Sequence, residues 1–348
     1  MTDQPTPVAP PQGVIDVREN HKFDEAALAK YLAAHLPGYG GDLVIRQFEG
    51  GQSNPTFLLQ TGSKKLVLRK KPPGTLLPTA HAIEREYRIY KALEDTDVPV
   101  PKTYFLCEDA SIIGTPFFVM DFVEGRVFRD TGMADFTPEH RRAVYRDMAR
   151  VLGALHSVDY KAKGLTDYGK PGNYFNRQIT RWTDQYLKAK THEIPSMNAL
   201  LEWLPKNMPN DDTTTIVHGD FALYNLMWHP TEPRCVALLD WELSTLGHPM
   251  ADLAYNCMRY YTPDAASFGE GTPTEDEFVL MYCEMTGRER IKGWNFYLAF
   301  GFFRLASIIQ GVYKRGLDGN ASSSHALSMK DVVTATSDTG WRVAQGGK

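Results

Sequence analysis

The sequence predicts an α+β fold in two lobes, a small antiparallel-sheet lobe followed by a larger, mostly helical one. Three observations predict it. The 348 residues exceed the roughly 150 of a typical single domain, and at 43% hydrophobic and 23% charged they suit a globular chain with a substantial core. Short runs of branched and aromatic residues, broken by Gly and Ser turns, fill the first third. Beyond Gly125 the apolar pattern is mostly helical in period.

Element by element, Met1 to Gly13 is polar and carries Pro5, Pro7, Pro10 and Pro11, so residues 1–20 are expected to be a disordered lead-in. Phe23 to Leu36 is rich in helix formers and is followed by Gly38. Strands are expected at Leu43–Phe48, Thr56–Gln60 and Lys65–Arg69. Ile83, Tyr87, Tyr90 and Leu93 recur at helical spacing, and Val98-Pro99-Val100-Pro101 ends that segment. Two more strands follow at Thr103–Leu106 and Thr115–Asp121. Residues 21–120 therefore read as the first lobe, 121–125 as a hinge and 126–348 as the second lobe.

In the second lobe, Thr137–His156 is a long amphipathic helix with Pro138 at its tolerant first turn. Further helices are expected near Gln178–Lys190, Met197–Leu204, Asp276–Thr286 and Gly293–Lys314, with a short β element at Thr215–Val217, Leu226–Trp228 and Cys235–Leu239. Two unlike lobes suggest a ligand cleft between them.

Charge excludes one class of partner. Thirty-eight Lys and Arg against 42 Asp and Glu give a net charge of −4, without the positive field that nucleic acid requires. The cysteines Cys107, Cys235, Cys257 and Cys283 form no C-x-x-C pair, which suits a reducing compartment. The N-terminal segment lacks a signal-peptide pattern, and the apolar stretch Trp294 to Val312 is broken by Asn295, Arg304, Ser307 and Gln310. The expectation is a cytoplasmic protein with no membrane partner.

The chemistry concentrates in Val217-His218-Gly219-Asp220-Phe221-Ala222-Leu223-Tyr224-Asn225 and in Val236-Ala237-Leu238-Leu239-Asp240. If Leu226–Trp228 pairs with Val236–Leu239 as a hairpin around the turn 229–234, Asn225 and Asp240 meet at its open end. Two carboxylates and an amide there offer hard oxygen ligands suited to Mg²⁺, with a carboxylate to spare for proton handling. Simple turn capping by Asp220 and Asn225 is the competing reading.

His218-Gly219-Asp220-x4-Asn225 with Leu239-Asp240 resembles the catalytic and metal-binding segments of the aminoglycoside phosphotransferase and choline kinase family, relatives of the protein kinases. The resemblance implies a bilobal protein-kinase-like fold with ATP and Mg²⁺ as cofactors. It assigns Asp220 as the base and Asn225 and Asp240 as metal ligands, with His218 bracing the loop. Asp252 matches a position that ties the loop down.

Four features should then precede the loop, and all occur in order. Gly50, Gly51, Gln52, Ser53 and Asn54 lie in a turn between strands, suited to phosphates although it departs from G-x-G-x-x-G. Arg69 ends a strand where protein kinases have Lys, with Lys70 the alternative; period-two alternation puts them on opposite faces. Glu86 shares the buried stripe of Ile83 and Tyr90 and is the better partner for that cation than Glu84. Met120, Asp121 and Val123 occupy the hinge positions that the resemblance assigns to adenine.

Leu68-Arg69-Lys70-Lys71-Pro72-Pro73-Gly74 and Asp240-Trp241-Glu242 look most like the kinase-like domains associated with acyl-CoA dehydrogenases. That implies a small-molecule hydroxyl acceptor, a hydroxyacyl-CoA or hydroxy acid, and a functional association with such a dehydrogenase. Arg177, Arg181 and Arg304 are candidates to receive an anionic acceptor, or are surface arginines. An aminoglycoside acceptor, a non-catalytic nucleotide-binding module and a metal-dependent phosphohydrolase are the alternatives. Trp241-Glu242 in place of Phe-Gly argues against a switchable activation segment.

Overall fold

Six strands build the sheet of the first unit: β1 (Val14–Ile15), β2 (Leu43–Phe48), β3 (Thr56–Thr61), β4 (Lys64–Lys70), β5 (Thr103–Cys107) and β6 (Phe117–Asp121). Their spatial order in the computed structural model is β1-β2-β3-β4-β6-β5, antiparallel throughout. The structure describes residues 13–49, 54–62, 64–72, 82–128, 132–133, 136–320 and 325–347.

Alternation along the strands gives the sheet two buried faces. Phe57, Leu59, Leu66, Leu68, Phe117 and Val119 meet Leu28 and Leu32 of α1 (Glu25–His35) and Leu36 just after it; the first turn of α1 is capped by Asp24 accepting from Ala27 N–H. On the other face α2 (Ile83–Leu93) buries Ile83, Glu86, Ile89, Tyr90 and Leu93, with Tyr87 and Tyr90 against the ring of Phe118. This unit ends at Glu124 and omits Thr96–Val98, which group with the second.

One part of the expected lead-in is structured. Val14–Ile15 pairs with Gln47 and Phe48, Arg18 N–H donates to Gln47 Oε1 at 3.0 Å, and Glu19–His21 forms a 3-10 turn. Two residues of strand are too few to register as a period. Residues 1–12 lie outside the described part.

The second unit is helical around small sheets. It contains α3 (Pro138–Ser157), α4 (Tyr174–Ala189), α5 (Pro195–Lys206), α6 (Met250–Cys257), α7 (Glu275–Thr286), α8 (Trp294–Leu317) and α9 (Met329–Ala344). β7 (Arg126–Val127), β9 (Leu226–Trp228) and β10 (Cys235–Leu238) form one sheet, and β8 (Thr215–Val217) pairs with β11 (Thr245–Gly247). Helix α8 is long and apolar enough to cross a membrane, but most of that stretch is buried against α4, α5, α6 and α9. Neither α6 nor α9 stands out in the sequence. The latter is rich in Thr, Ser and Gly, and it docks because Gly340 lets it approach α8: a Cβ there would lie 2.8 Å from Phe302 Cβ.

Candidate active site

The loop after β8 is fixed by a buried carboxylate. Asp252, on the first turns of α6 and 1% exposed, accepts the N–H of His218 at 2.6 Å and of Gly219 at 2.8 Å. Burial alone would raise its pKa. Hydrogen bonds from His156 and from the Gly219 N–H together hold it below the ordinary carboxylate value. His156 is oriented in turn by the Tyr282 hydroxyl at 2.8 Å.

His218 is fully buried and uses both ring nitrogens. Its Nδ1 accepts from Asp220 N–H at 3.3 Å while Nε2 donates to the Leu239 carbonyl at 2.9 Å. It braces the loop and ties it to the strand that ends at Asp240. Gly219 has φ +85°, and a Cβ there would meet the Leu243 carbonyl oxygen at 2.6 Å, so no other residue fits this turn.

Asp220 is held from both sides. Tyr224 O–H donates to Oδ1 at 2.9 Å, and Asn225 Nδ2 donates to Oδ2 at 3.0 Å and to the Asp220 carbonyl at 2.8 Å. The hairpin expected from sequence is present: Leu238 faces Leu226, and Leu239 N–H donates to the Asn225 carbonyl at 2.9 Å. Asp240, the next residue, has φ +65°, a left-handed backbone that Asp tolerates better than most residues. The ladder thus brings Asn225 beside Asp220 and sets Asp240 one residue beyond it. With Nδ2 committed, Asn225 Oδ1 makes no hydrogen bond among the described residues.

The fit to Mg²⁺ rests on that donor set. Among the described residues no cluster of three or more His, Cys, Asp or Glu forms a ready-made cage. Mg²⁺ instead takes one or two carboxylates, and completes its shell with water and phosphate oxygens. Asp240 and the Asn225 amide oxygen suit that demand.

Around the loop, Arg304 of α8 donates to the Gly219 carbonyl at 3.3 Å and lies over the rings of Trp182 and Tyr255 at 5.8 and 6.0 Å. Arg181 is exposed and sits 5.3 Å from the Trp182 ring. Arg177 departs from its expected role: its guanidinium donates to the carbonyls of Gly172 and Lys170 and ties down the turn before α4. Sequence reasoning missed Tyr224 and Tyr255. Burial drives the pKa of Tyr255 up to about 12, with the nearby Asp220 charge adding to it. The position of Tyr224, one residue before Asn225, was the available signal.

The first unit, taken by itself, places its candidates as alternation requires. Arg69 Nη2 lies 3.1 Å from Glu86 Oε2, with side chains 13% and 1% exposed. Glu84 pairs instead with Lys71. Lys70, the alternative cation, points to the opposite face, where it is buried between the rings of Phe23 and Phe57 at 5.2 and 6.0 Å; desolvation lowers its pKa. Gly50, Gly51, Gln52 and Ser53 lie outside the described residues, whereas Asn54 is 1% exposed with a buried Oδ1 that makes no hydrogen bond among the described residues.

At the end of β6, Met120 is buried and Asp121 N–H is taken by the Lys102 carbonyl at 2.8 Å. Tyr104 O–H donates to the Asp121 carboxylate at 2.6 Å. Val123 N–H makes no hydrogen bond among the described residues, which leaves a backbone donor for a ligand at this position.

A strand-rich unit with a buried Arg–Glu pair, followed by a helical unit with this loop, defines a kinase-like phosphotransferase fold. The chain belongs to the phosphotransferase enzyme family, whose model matches residues 44–294. A solved Ralstonia eutropha protein that carries an aminoglycoside phosphotransferase name is 48% identical, with a TM-score of 0.86 over 94% of this chain and 100% of its own. A thermostable aminoglycoside phosphotransferase solved with ADP and hygromycin B shares the fold at a TM-score of 0.60 and 15% identity, over 92% of this chain and 98% of its own. Acyl-CoA dehydrogenase family member 10 of Mus musculus is 47% identical over 339 residues, which is 94% of this chain and 32% of that protein. Family member 11 of Homo sapiens is 43% identical, over 95% of this chain and 44% of its own length. The chain therefore spans less than half the length of these two relatives.

Proposed function

We propose that this protein is an ATP- and Mg²⁺-dependent kinase that transfers the γ-phosphoryl group to a hydroxyl of a small molecule, a hydroxyacyl-CoA or hydroxy acid. The observation that carries the reading is the Asp220 carboxylate. It is fixed by Tyr224 and Asn225 at 2.9 and 3.0 Å, while the same Asn keeps its oxygen for a cation.

The residues divide the work. Asp220 accepts the proton of the acceptor hydroxyl as that oxygen bonds to phosphorus and ADP leaves. Asn225 and Asp240 hold Mg²⁺, which offsets charge on the phosphates when bound. Arg69, fixed by Glu86, offers a planar fork to phosphate oxygens, and Val123 N–H with the Asp121 carbonyl receives the adenine.

The acyl acceptor is supported by two things. The relatives named above are acyl-CoA dehydrogenase family members, which also supports a functional association with such a dehydrogenase. The surroundings of Asp220 are aromatic and cationic, with Tyr224, Tyr255 and Arg304, and a polycationic aminoglycoside would instead want acids there.

Purified protein incubated with ATP, Mg²⁺ and each acceptor class should form a phosphate ester only from a hydroxyacyl compound, and chelation by EDTA should stop it. Ester formed from an aminoglycoside would move the assignment to that class. ATP binding without transfer to any hydroxyl would leave a non-catalytic nucleotide-binding module.

A further inference from the structure

One guanidinium in the second unit makes ring contacts in place of salt bridges among the described residues. Arg259 lies in the 3-10 turn Met258–Tyr261 that follows α6. Its guanidinium carbon is 4.7 Å from the Tyr145 ring centroid and 5.5, 5.9 and 5.9 Å from those of Tyr260, Phe268 and Phe278. Ring faces stabilise the charge but accept no N–H in the plane of the fork. Among the described residues Arg259 Nε and Nη2 are buried without a hydrogen bond of normal geometry, no carboxylate pairs with Arg259, and the Tyr260 hydroxyl is a polar neighbour of the guanidinium.

Structural arginines in this unit are treated differently. Arg141, 5% exposed, donates from Nε, Nη1 and Nη2 to the carbonyls of Gly132, Glu270, Met133 and Phe136. Arg177 likewise spends its donors on two carbonyls. A guanidinium held mainly by rings can turn to offer its fork to an incoming anion at little cost in hydrogen bonding, and its unsatisfied donors give that anion something to gain.

Arg259 also lines a cavity of about 240 Å³ in the same unit. Phe128, Leu223, Met258 and Leu305 supply apolar wall, and Tyr224 and Tyr255 line it as well. Tyr224 is the residue that donates to Asp220. The cavity is therefore bounded both by a partner of the candidate base and by an unsatisfied cation, with aliphatic and aromatic surface beside them.

We propose that Arg259 determines acceptor specificity by binding an anionic oxygen group, a carboxylate or a phosphate, on a molecule whose apolar body fills this cavity. That the bound molecule is the phosphoryl acceptor rests on the kinase reading above; that an anion binds at Arg259 does not. A carboxylate would come from a free hydroxy acid, a phosphate from the carrier of a thioester.

The test uses the full chain and three probes: 3-hydroxyhexanoate, its methyl ester and its CoA thioester, titrated calorimetrically without ATP. The wild-type protein should bind the acid or the thioester at least tenfold more tightly than the ester. Preference for the acid assigns the carboxylate, and preference for the thioester, with competition by free CoA, assigns the phosphate. Arg259→Met should abolish the preference and Arg259→Lys should restore part of it. In turnover, Arg259→Met should raise KM for the anionic probe far more than it lowers kcat.

A wild-type protein that binds neither anionic probe more tightly than the ester, or an Arg259→Met variant that keeps the preference, overturns the proposal. The wild-type comparison stands even if the Met variant does not fold. ATP with Mg²⁺, assayed separately by thermal shift, tests the kinase reading without touching this one.

Discussion

The side-chain nitrogen of Asn225 lies 3.0 Å from Oδ2 of Asp220 and 2.8 Å from the same residue's carbonyl oxygen, so one amide fixes both the backbone and the carboxylate of the candidate base. The two roles of Asn225 are separable. Its nitrogen orients Asp220, and its oxygen is the proposed cation ligand.

Asp220→Asn should therefore lower kcat by on the order of 10²–10⁴, in line with loss of a general base, and leave ATP binding intact. Asn225→Ala should lower kcat as well, and raise the Mg²⁺ concentration for half-maximal rate by about 10–100-fold. Steady-state kinetics over a magnesium titration separates the two. An Asp220→Asn protein with wild-type turnover removes that residue from the proton transfer.

The hairpin behind this site was legible because its signals are local: a turn-rich segment between two apolar runs, with Asn225 and Asp240 flanking them. The Arg69–Glu86 pair was legible for the same reason, since strand alternation and helix spacing each fix one partner's face. Tyr255 and Arg259 were not legible. Their relevance comes from where α6 and its 3-10 extension lie in the second unit, and α6 itself, eight residues long, carries too little pattern to stand out. Arg177 was misread because a basic residue four positions before another looks the same whether it awaits an anion or holds two carbonyls.

Arg69 and Lys70 are adjacent in sequence and opposite in consequence. Glu86 is 1% exposed, so Arg69→Ala removes the cation 3.1 Å from a buried carboxylate and should cost about 3–5 kcal/mol, and it should abolish the rise in melting temperature on adding ATP and Mg²⁺. Lys70→Met replaces a desolvated ammonium that no carboxylate neutralises among the described residues with an apolar chain between two rings. It should be neutral or stabilising and should leave the ATP response unchanged. Thermal melts with and without nucleotide decide between them. Loss of the ATP response in Lys70→Met alone would mean that the phosphate-facing side of β4 has been misassigned.

Asp252 tests whether the loop is held by charge. Asp252→Asn keeps the size but replaces one acceptor oxygen with a donor, which faces either the His218 or the Gly219 N–H. The variant should fall in stability by about 1–3 kcal/mol, the cost of an unmet buried donor, and lose turnover although Asp252 touches no reactant. Its ATP-induced thermal shift should persist in part, because Arg69 and Val123 among the proposed nucleotide contacts lie in the other unit. Loss of turnover without loss of stability would point to a direct chemical role instead.

His248 gives the protein a pH dependence of predictable sign. The ring is 1% exposed, and burial lowers its pKa below 6.5 against the opposing pull of Asp211, whose Oδ2 lies 3.2 Å from Nε2; the charges of Arg288 and His156 push the same way as burial. Its Nδ1 accepts from the Met250 N–H at the start of α6, a bond that protonation would destroy at the positive end of a helix. The unfolded chain therefore takes up the proton first as pH falls. The histidine's contribution to stability is complete above pH 6.5 and declines as pH drops toward the folded-state value, by at most about 1.4 kcal/mol per pH unit for one proton. Urea unfolding between pH 5 and 8 should show stability rising with pH over that window, and His248→Gln should remove this part of the slope. Because α6 also carries the carboxylate that holds His218 and Gly219, turnover of the wild type should fall over the same acidic window, and a His248→Gln profile as steep as the wild type's would assign the loss to another group.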